Sequence, residues 1–244
     1  KFSFLITEDN LEWENVMNPL NKINEELRWS WGVISHLNAV KNSEQLRDVY
    51  AKLLPNVINL GNKFGQSKTI YKALKILRDT KNLDLIRNRI LDKEIIEMEH
   101  SGISLNESDQ KDYNLISERL GELSTKFSNN VLDATNKWFL ILENKSQIKG
   151  LPERVLELMA LSAQKHLKTE GNVDSHNGPW KLSLDIPTYT AFMTYSEDSS
   201  LREKLYKAFV SRASSGNENN NQIIDEILTL RTKQSKLLGY ESWA

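Results

Sequence analysis

The chain has 244 residues, with 32 Lys and Arg against 33 Asp and Glu, and it contains no cysteine. The near-zero net charge argues against a dedicated nucleic-acid binder, and the lack of cysteine excludes disulfides, thiolate nucleophiles and cysteine-based zinc or iron–sulfur sites. No segment approaches the roughly 18 apolar residues that a membrane-spanning helix needs, and the first ten residues do not resemble a signal peptide. We therefore expect a cytoplasmic protein.

Glycine and proline are scarce, with 10 and 5 residues, which favours long helices. The N-terminal part is predicted to be helical from Asp9 to Ala39, with a break near Pro19. Ser43 opens a second helix that runs to about Asn62, is kinked or divided at Pro55, and is followed by a turn at Gly61 and Gly65. Two further helices are predicted over residues 68–80 and 82–100.

The strongest helical signal begins near Ser108. Apolar residues recur there at intervals of three and four, which places them along one face of a helix. Such a face can pair with a second helix in antiparallel orientation. The residues are Tyr113, Ile116, Leu120, Leu123, Phe127, Val131 and Ala134.

The pattern changes after residue 137. The compact apolar segment 138–142 is predicted to be a strand. Pro152 fits the first position of a helix that continues to Gly171. Apolar and polar residues then alternate from Trp180 to Ile186, which indicates a second strand that Pro187 ends. The two strand candidates flank one helix and could pair in a small sheet.

Two helices are predicted at the C-terminal end. Ser200 and Glu203 fit a capping box for a helix over residues 201–214. The last helix spans about residues 222–238, with Gly239 as its stop. The expected fold class is mainly α, an antiparallel helical body with one small β-hairpin-like element near residues 138–143 and 180–186. We predict one region, subdivided into a helical body (1–136), a strand–helix–strand insert (137–187) and further helices (188–244).

A metal site would need His, Asp or Glu ligands. The four histidines are far apart in the sequence, and none belongs to an HExxH motif. Glu97 and His100 fall on one helix face, as in di-iron bundles, but such a site needs a second Glu-x-x-His and two further Glu residues. The favoured interpretation is a histidine that complements the C-terminal end of a helix dipole.

Two other patterns could carry function. The first, Asp174-Ser175-His176, has the residue types of a catalytic triad. However, adjacent residues rarely point at one another, and the GxSxG motif is absent, so a polar loop is favoured. The second, the basic stretch Lys68–Arg89, contains only Tyr71 for base stacking, so a solvated helix face is favoured over nucleic-acid binding. A Trp29/Trp31 pair could stack on a ligand but is more typical of a core.

Five segments resemble, in order, the N-terminal part of the oligopeptidase A and thimet oligopeptidase family. Together they extend over most of the chain, and the resemblance is strongest to the bacterial-type oligopeptidase A branch. They are VISHLNAVKNSEQLR (33–47), SNNVLDAT (128–135), LDIPTYTAFMTY (184–195), LREKLYKAFVSRAS (201–214) and EILTLRTKQSKLLGYESWA (226–244).

The resemblance implies a mainly helical, neurolysin-like N-terminal region of a zinc peptidase that cuts short peptides. In this family an HExxH helix and a later Glu hold the zinc. These ligands would lie downstream of Ala244, so no catalytic or metal residue transfers to this chain, and its substrate-binding residues are unknown. The chain would form part of a channel wall, would be inactive alone, and would pair with the missing C-terminal catalytic half.

Two alternatives remain open. The chain could be a free-standing helical interaction module that binds a partner through its tryptophan-rich face. More weakly, it could be a bundle metalloprotein that uses Glu97 and His100. As an orphaned half of a peptidase, it would instead expose apolar surface and tend to self-associate.

Overall fold

The computed structural model describes residues 11–80, 83–168 and 175–243. These residues form nine α-helices and one two-stranded sheet, which confirms the mainly α fold class. The elements are α1 (Trp13–Val40), α2 (Glu44–Gly65), α3 (Lys68–Thr80), α4 (Leu85–His100), α5 (Glu107–Lys137), β1 (Phe139–Leu142), α6 (Glu153–Leu167), β2 (Trp180–Ser183), α7 (Ile186–Tyr195), α8 (Ser199–Val210) and α9 (Asn221–Leu237).

The chain groups into two compact units. Unit 1 comprises the residues up to Ser124 and those from Glu226 onward, and unit 2 comprises Thr125–Asp225. The helices α5 and α9 therefore each contribute residues to both units. The three-part subdivision at residues 136 and 187 stays a prediction.

Two prolines lie inside continuous helices. The break expected near Pro19 is wrong, since α1 continues through it. A proline inside a helix costs about 3 kcal/mol, but Val16, Met17 and Leu20 are buried on either side of Pro19, and their packing offsets that cost. Pro55 likewise does not divide α2.

Side-chain caps set several helix starts close to the predicted positions. The Ser43 hydroxyl accepts a hydrogen bond from the Leu46 N–H at 3.3 Å, which begins α2 as expected. The Asp84 carboxylate accepts the N–H groups of Ile86 and Arg87, both at 2.9 Å, so α4 begins at Leu85. The expected link at residues 81–82 lies outside the described residues. The turn predicted at Gly61 and Gly65 begins later, because both glycines lie within α2 and the helix ends at Gly65.

The core of unit 1 is built from α1, α3 and α4. It contains Leu11, Val16, Met17, Leu20, Ile70, Ala73, Leu74, Leu77, Leu91, Met98 and Ile103. A polar contact joins α2 to the end of α4, where the Gln66 side-chain amide donates to the Ser101 carbonyl at 2.9 Å. Gly65 permits this approach, because a Cβ there would lie 2.6 Å from the Ser101 side chain.

Within unit 1, α9 runs antiparallel to α5. The Gln234 side chain donates to the Ser117 hydroxyl at 3.0 Å, and the Arg119 guanidinium pairs with Glu226 at 2.7 Å. Arg119 follows Ser117 on α5, whereas its partner Glu226 precedes Gln234 on α9, so the two helices run in opposite directions. Both contacts are polar, so the antiparallel pairing expected for the apolar face of α5 stays a prediction.

The core of unit 2 lies against the sheet. The strands β1 and β2 pair antiparallel, with Leu142 opposite Trp180 and Leu140 opposite Leu182. Trp180, Leu182 and Phe192 are fully buried there. The strands flank α6, as predicted, and are not joined by a tight turn.

Several boundaries in unit 2 differ from prediction: α6 ends at Leu167 and α8 at Val210, each a few residues earlier than expected. The strand β2 ends at Ser183 and not at residue 186, because the Asp185 carboxylate accepts the Thr188 N–H at 3.1 Å and caps α7. The capping box at Ser200 and Glu203 is wrong, since Asp198 caps α8 two residues earlier. Pro152 occupies the cap position, one residue before α6 begins.

Candidate functional site

A cleft of about 440 Å³ opens within unit 1 at the C-terminal ends of α4 and α9. We call it the Tyr240 cleft. Its lining combines one carboxylate, one imidazole, three aromatic rings and several hydroxyls. The lining residues are Glu97, His100, Ser101, Tyr113, Ser235, Leu238, Tyr240, Ser242 and Trp243.

Both helices end at the cleft in the same way. Gly239 has a φ of +85°, and the N–H groups of Gly239 and Tyr240 donate to the carbonyls of Lys236 and Ser235 at 3.0 and 2.9 Å. This paired pattern reverses the chain after α9 and confirms the predicted stop at Gly239. Gly102, with a φ of +83°, ends α4 through the equivalent bonds. The turn after α9 brings Tyr240 to His100.

His100 and Tyr240 are in direct contact. The His100 Nε2 lies 3.1 Å from the Tyr240 hydroxyl, and the two rings meet edge to face with centroids 5.5 Å apart. The Tyr113 hydroxyl donates to the His100 carbonyl at 2.8 Å, and burial raises the pKa of Tyr113. Residues from α4, α5 and the end of the chain thus converge on one wall.

The carboxylate of the cleft lies on α4. Glu97 is exposed at the cleft surface. Burial, and then the charge of Glu97, raise the pKa of the neighbouring Glu94. The Arg231 guanidinium carbon lies 5.5 Å from the centroid of the ring of Trp243, another lining residue, and brings a positive charge close to the cleft.

The cleft contains both members of the Glu97 and His100 pair, but the two do not form a metal site of the di-iron type. Among the residues that the structure describes, no group of three or more His, Asp or Glu side chains is placed to hold a metal ion. Zinc bound by protein takes at least three such ligands. The donor set of the described residues therefore does not fit a resident zinc ion.

The remaining histidines lie in different environments. His36 lines a separate groove on α1. The His166 ring lies edge to face on Phe139, with centroids 4.3 Å apart. The His176 Nε2 lies 3.5 Å from the Glu153 Oε1.

The predicted polar loop contributes to packing through its backbone. The Ser175 carbonyl accepts the indole N–H of Trp180 at 3.0 Å and is buried with it. Asp174 lies outside the described residues. The contact gives Ser175 a structural role beside β2.

Carboxylates face the basic stretch Lys68–Arg89. Arg78 pairs with Asp92 at 2.5 Å, and the Tyr71 hydroxyl donates to Glu99 at 2.6 Å. These contacts favour an intramolecular role for this helix face.

The two neighbouring tryptophans of α1 have different surroundings. Trp31 stacks on Tyr50 with ring centroids 4.7 Å apart. Trp29 is 65% exposed and lines a groove of about 480 Å³ with Val33 and Leu37. The pair therefore does not form a joint stacking platform.

None of the described helices is both long and apolar enough to cross a membrane.

Comparison with known proteins identifies relatives along the whole chain. Residues 4–110 match the family described as Neurolysin/Thimet oligopeptidase, N-terminal domain, and residues 192–244 match Peptidase family M3. The chain is 40% identical to the organellar oligopeptidase A of Arabidopsis thaliana over 95% of its own length and 30% of the relative. It is 36% identical to oligopeptidase A of Haemophilus influenzae (98% of the chain, 35% of the relative) and 37% identical to that of Escherichia coli (95% and 34%). The chain spans about a third of the length of these relatives, and it belongs to the family that includes oligopeptidase A and thimet oligopeptidase.

Proposed function

We propose that the chain is the N-terminal region of a zinc-dependent oligopeptidase that hydrolyses short peptides, and that it forms part of the channel wall that limits access to the active site. The observation that carries the proposal is the similarity to oligopeptidase A over 95% or more of the chain, against about a third of each relative. Long helices with few glycines suit a rigid wall. The missing partner would be the catalytic half, and the location would be the cytoplasm.

We also propose that the chain alone does not hydrolyse peptides. The sequence contains no HExxH motif, and the described residues hold no cluster of metal ligands. A zinc peptidase needs both a bound metal and a base to activate water. Those groups would come from the part of the relatives that this chain does not match.

The first test measures activity and metal together. The purified chain is incubated with an internally quenched peptide of about ten residues and excess zinc, and zinc retained after gel filtration is measured by mass spectrometry. We expect no hydrolysis above the buffer rate and much less than one equivalent of zinc. Chelator-sensitive hydrolysis that scales with chain concentration would overturn the proposed inactivity.

The second test is to sequence the transcript beyond the codon for Ala244. We expect the frame to continue into an HExxH motif and a later Glu codon. A stop codon directly after Ala244 would refute the peptidase proposal. It would favour the free-standing interaction module, for which the exposed Trp29 groove on α1 is the surface to investigate.

A further inference from the structure

We propose that the Tyr240 cleft binds an organic cation, a protonated amine or a guanidinium group. The inference stands on the cleft itself and does not depend on the proposed peptidase function. Three independent features of the described residues carry it: the charge of the lining, the direction of the helices that end there, and the aromatic rings.

The lining carries negative charge. Glu97 is a carboxylate at the surface of the cleft, whereas no Lys or Arg belongs to its nine lining residues. A unit positive charge about 4 Å from an exposed carboxylate gains about 1 kcal/mol in water, which is about fivefold in affinity. The Glu97 carboxylate therefore attracts a cation and repels an anion.

Two helix C-termini reach the same cleft. The helix α4 ends at His100 and α9 at Leu237, and the final turn of each contributes lining residues. The C-terminal end of a helix carries a partial negative charge of about half an electron, which favours cations within the last turn. Both dipoles therefore add to the field of Glu97.

Aromatic rings complete the site. Tyr240 and Trp243 are each about half exposed and line the cleft. Aromatic faces attract cations. Trp243 already has a cation partner within the chain, because the Arg231 guanidinium carbon lies 5.5 Å from its ring centroid. Tyr240 is therefore the ring offered to a ligand cation. The volume of about 440 Å³ is sufficient for an alkylammonium or alkylguanidinium group with its chain.

The test is an NMR titration of the full 244-residue chain, following the indole N–H of Trp243 and the imidazole of His100. The Trp243 signal is assigned with the Trp243→Phe variant. The probes are butylammonium, butylguanidinium and the neutral butanol. We expect saturable shifts with both cations, weaker binding as sodium chloride is raised, and little response to butanol.

Matched variants test each part of the site. Glu97→Gln keeps the shape of the side chain and should weaken binding about fivefold. Tyr240→Leu removes a ring and should weaken binding about two- to fivefold, whereas Tyr240→Phe keeps the ring and should stay within about twofold. Glu44→Gln makes the same charge change at the far end of α2 and should have no effect.

Equal binding of butanol, an unchanged affinity in Glu97→Gln, or no saturable shift with either cation would overturn the proposal. The source of the cation is distinguished by a further probe. If N-acetyl-arginine amide binds more tightly than butylguanidinium, the cleft accepts a side chain presented by a peptide. If it binds more weakly, the cleft accepts a free small cation.

Discussion

Replacing Gly150 by Ala is expected to destabilise unit 2 by about 2–3 kcal/mol. Gly150 has a φ of +88°, a conformation in which an alanine is strained by about 1–2 kcal/mol. An added Cβ would also overlap the Tyr195 carbonyl oxygen. Relief of that overlap requires the Tyr195–Glu197 backbone to move away, which opens the 3.0 Å hydrogen bond from the Glu197 N–H to the Lys149 carbonyl. One such bond contributes about 1 kcal/mol.

Gly216→Ala is the matched control. Gly216 also lies in unit 2 and has a φ of +70°, but the nearest atom to an added Cβ is a side-chain oxygen of Glu218 at 3.8 Å. This variant should lose only the backbone strain, about 1–2 kcal/mol. Urea unfolding followed by circular dichroism at 222 nm gives both free energies of unfolding. If the two variants lose the same stability, the argument from the Tyr195 contact is refuted.

Three further predictions concern unit 1. Gly32→Ala should stabilise α1 by about 0.5–1 kcal/mol in thermal or urea unfolding, because an added Cβ meets no atom within 4 Å; a loss of stability would contradict this. Glu94→Gln should raise stability at about pH 7, since burial and Glu97 raise the pKa of Glu94 and disfavour its charged form in the folded chain. The gain should disappear near pH 3, where the carboxyl is protonated in both the folded and the unfolded chain. A gain that persists at that pH would show that the negative charge of Glu94 is not its cause. Glu226→Gln should cost about 0.5 kcal/mol at low salt, by loss of the Arg119 pair, and less in about 1 M sodium chloride; a loss independent of salt would exclude an electrostatic origin.

Most helices could be predicted because their signals are local. The apolar spacing from Tyr113 to Ala134 falls within α5, and Ser43 and Gly239 mark the ends of α2 and α9 where expected. The errors arise where tertiary packing outweighs a local preference. Pro19 was predicted to interrupt α1, but the burial of Val16 and Leu20 keeps the helix continuous.

The Tyr240 cleft could not be predicted as a site. Its two walls come from segments about 140 residues apart, and their contact depends on how α4 and α9 end. The sequence indicates possible metal chemistry for Glu97 and His100, but it gives no reason to group Tyr240 and Trp243 with them. The only sequence signal for these two residues is their position one and four residues after the helix stop at Gly239.

The wide separation of β1 and β2 has a consequence for synthesis on the ribosome. Phe139 pairs with Ser183, so 44 positions separate these strand partners. At about 5–20 residues per second, β1 is made about 2–9 s before its partner. During that interval Leu140 and Leu142 have no strand to pair with, and α6 is made before the strand on which it packs. Unit 2 should therefore acquire its sheet late, after α6 has left the exit tunnel, and a pause between positions 143 and 180 would prolong the exposure of β1 to chaperones.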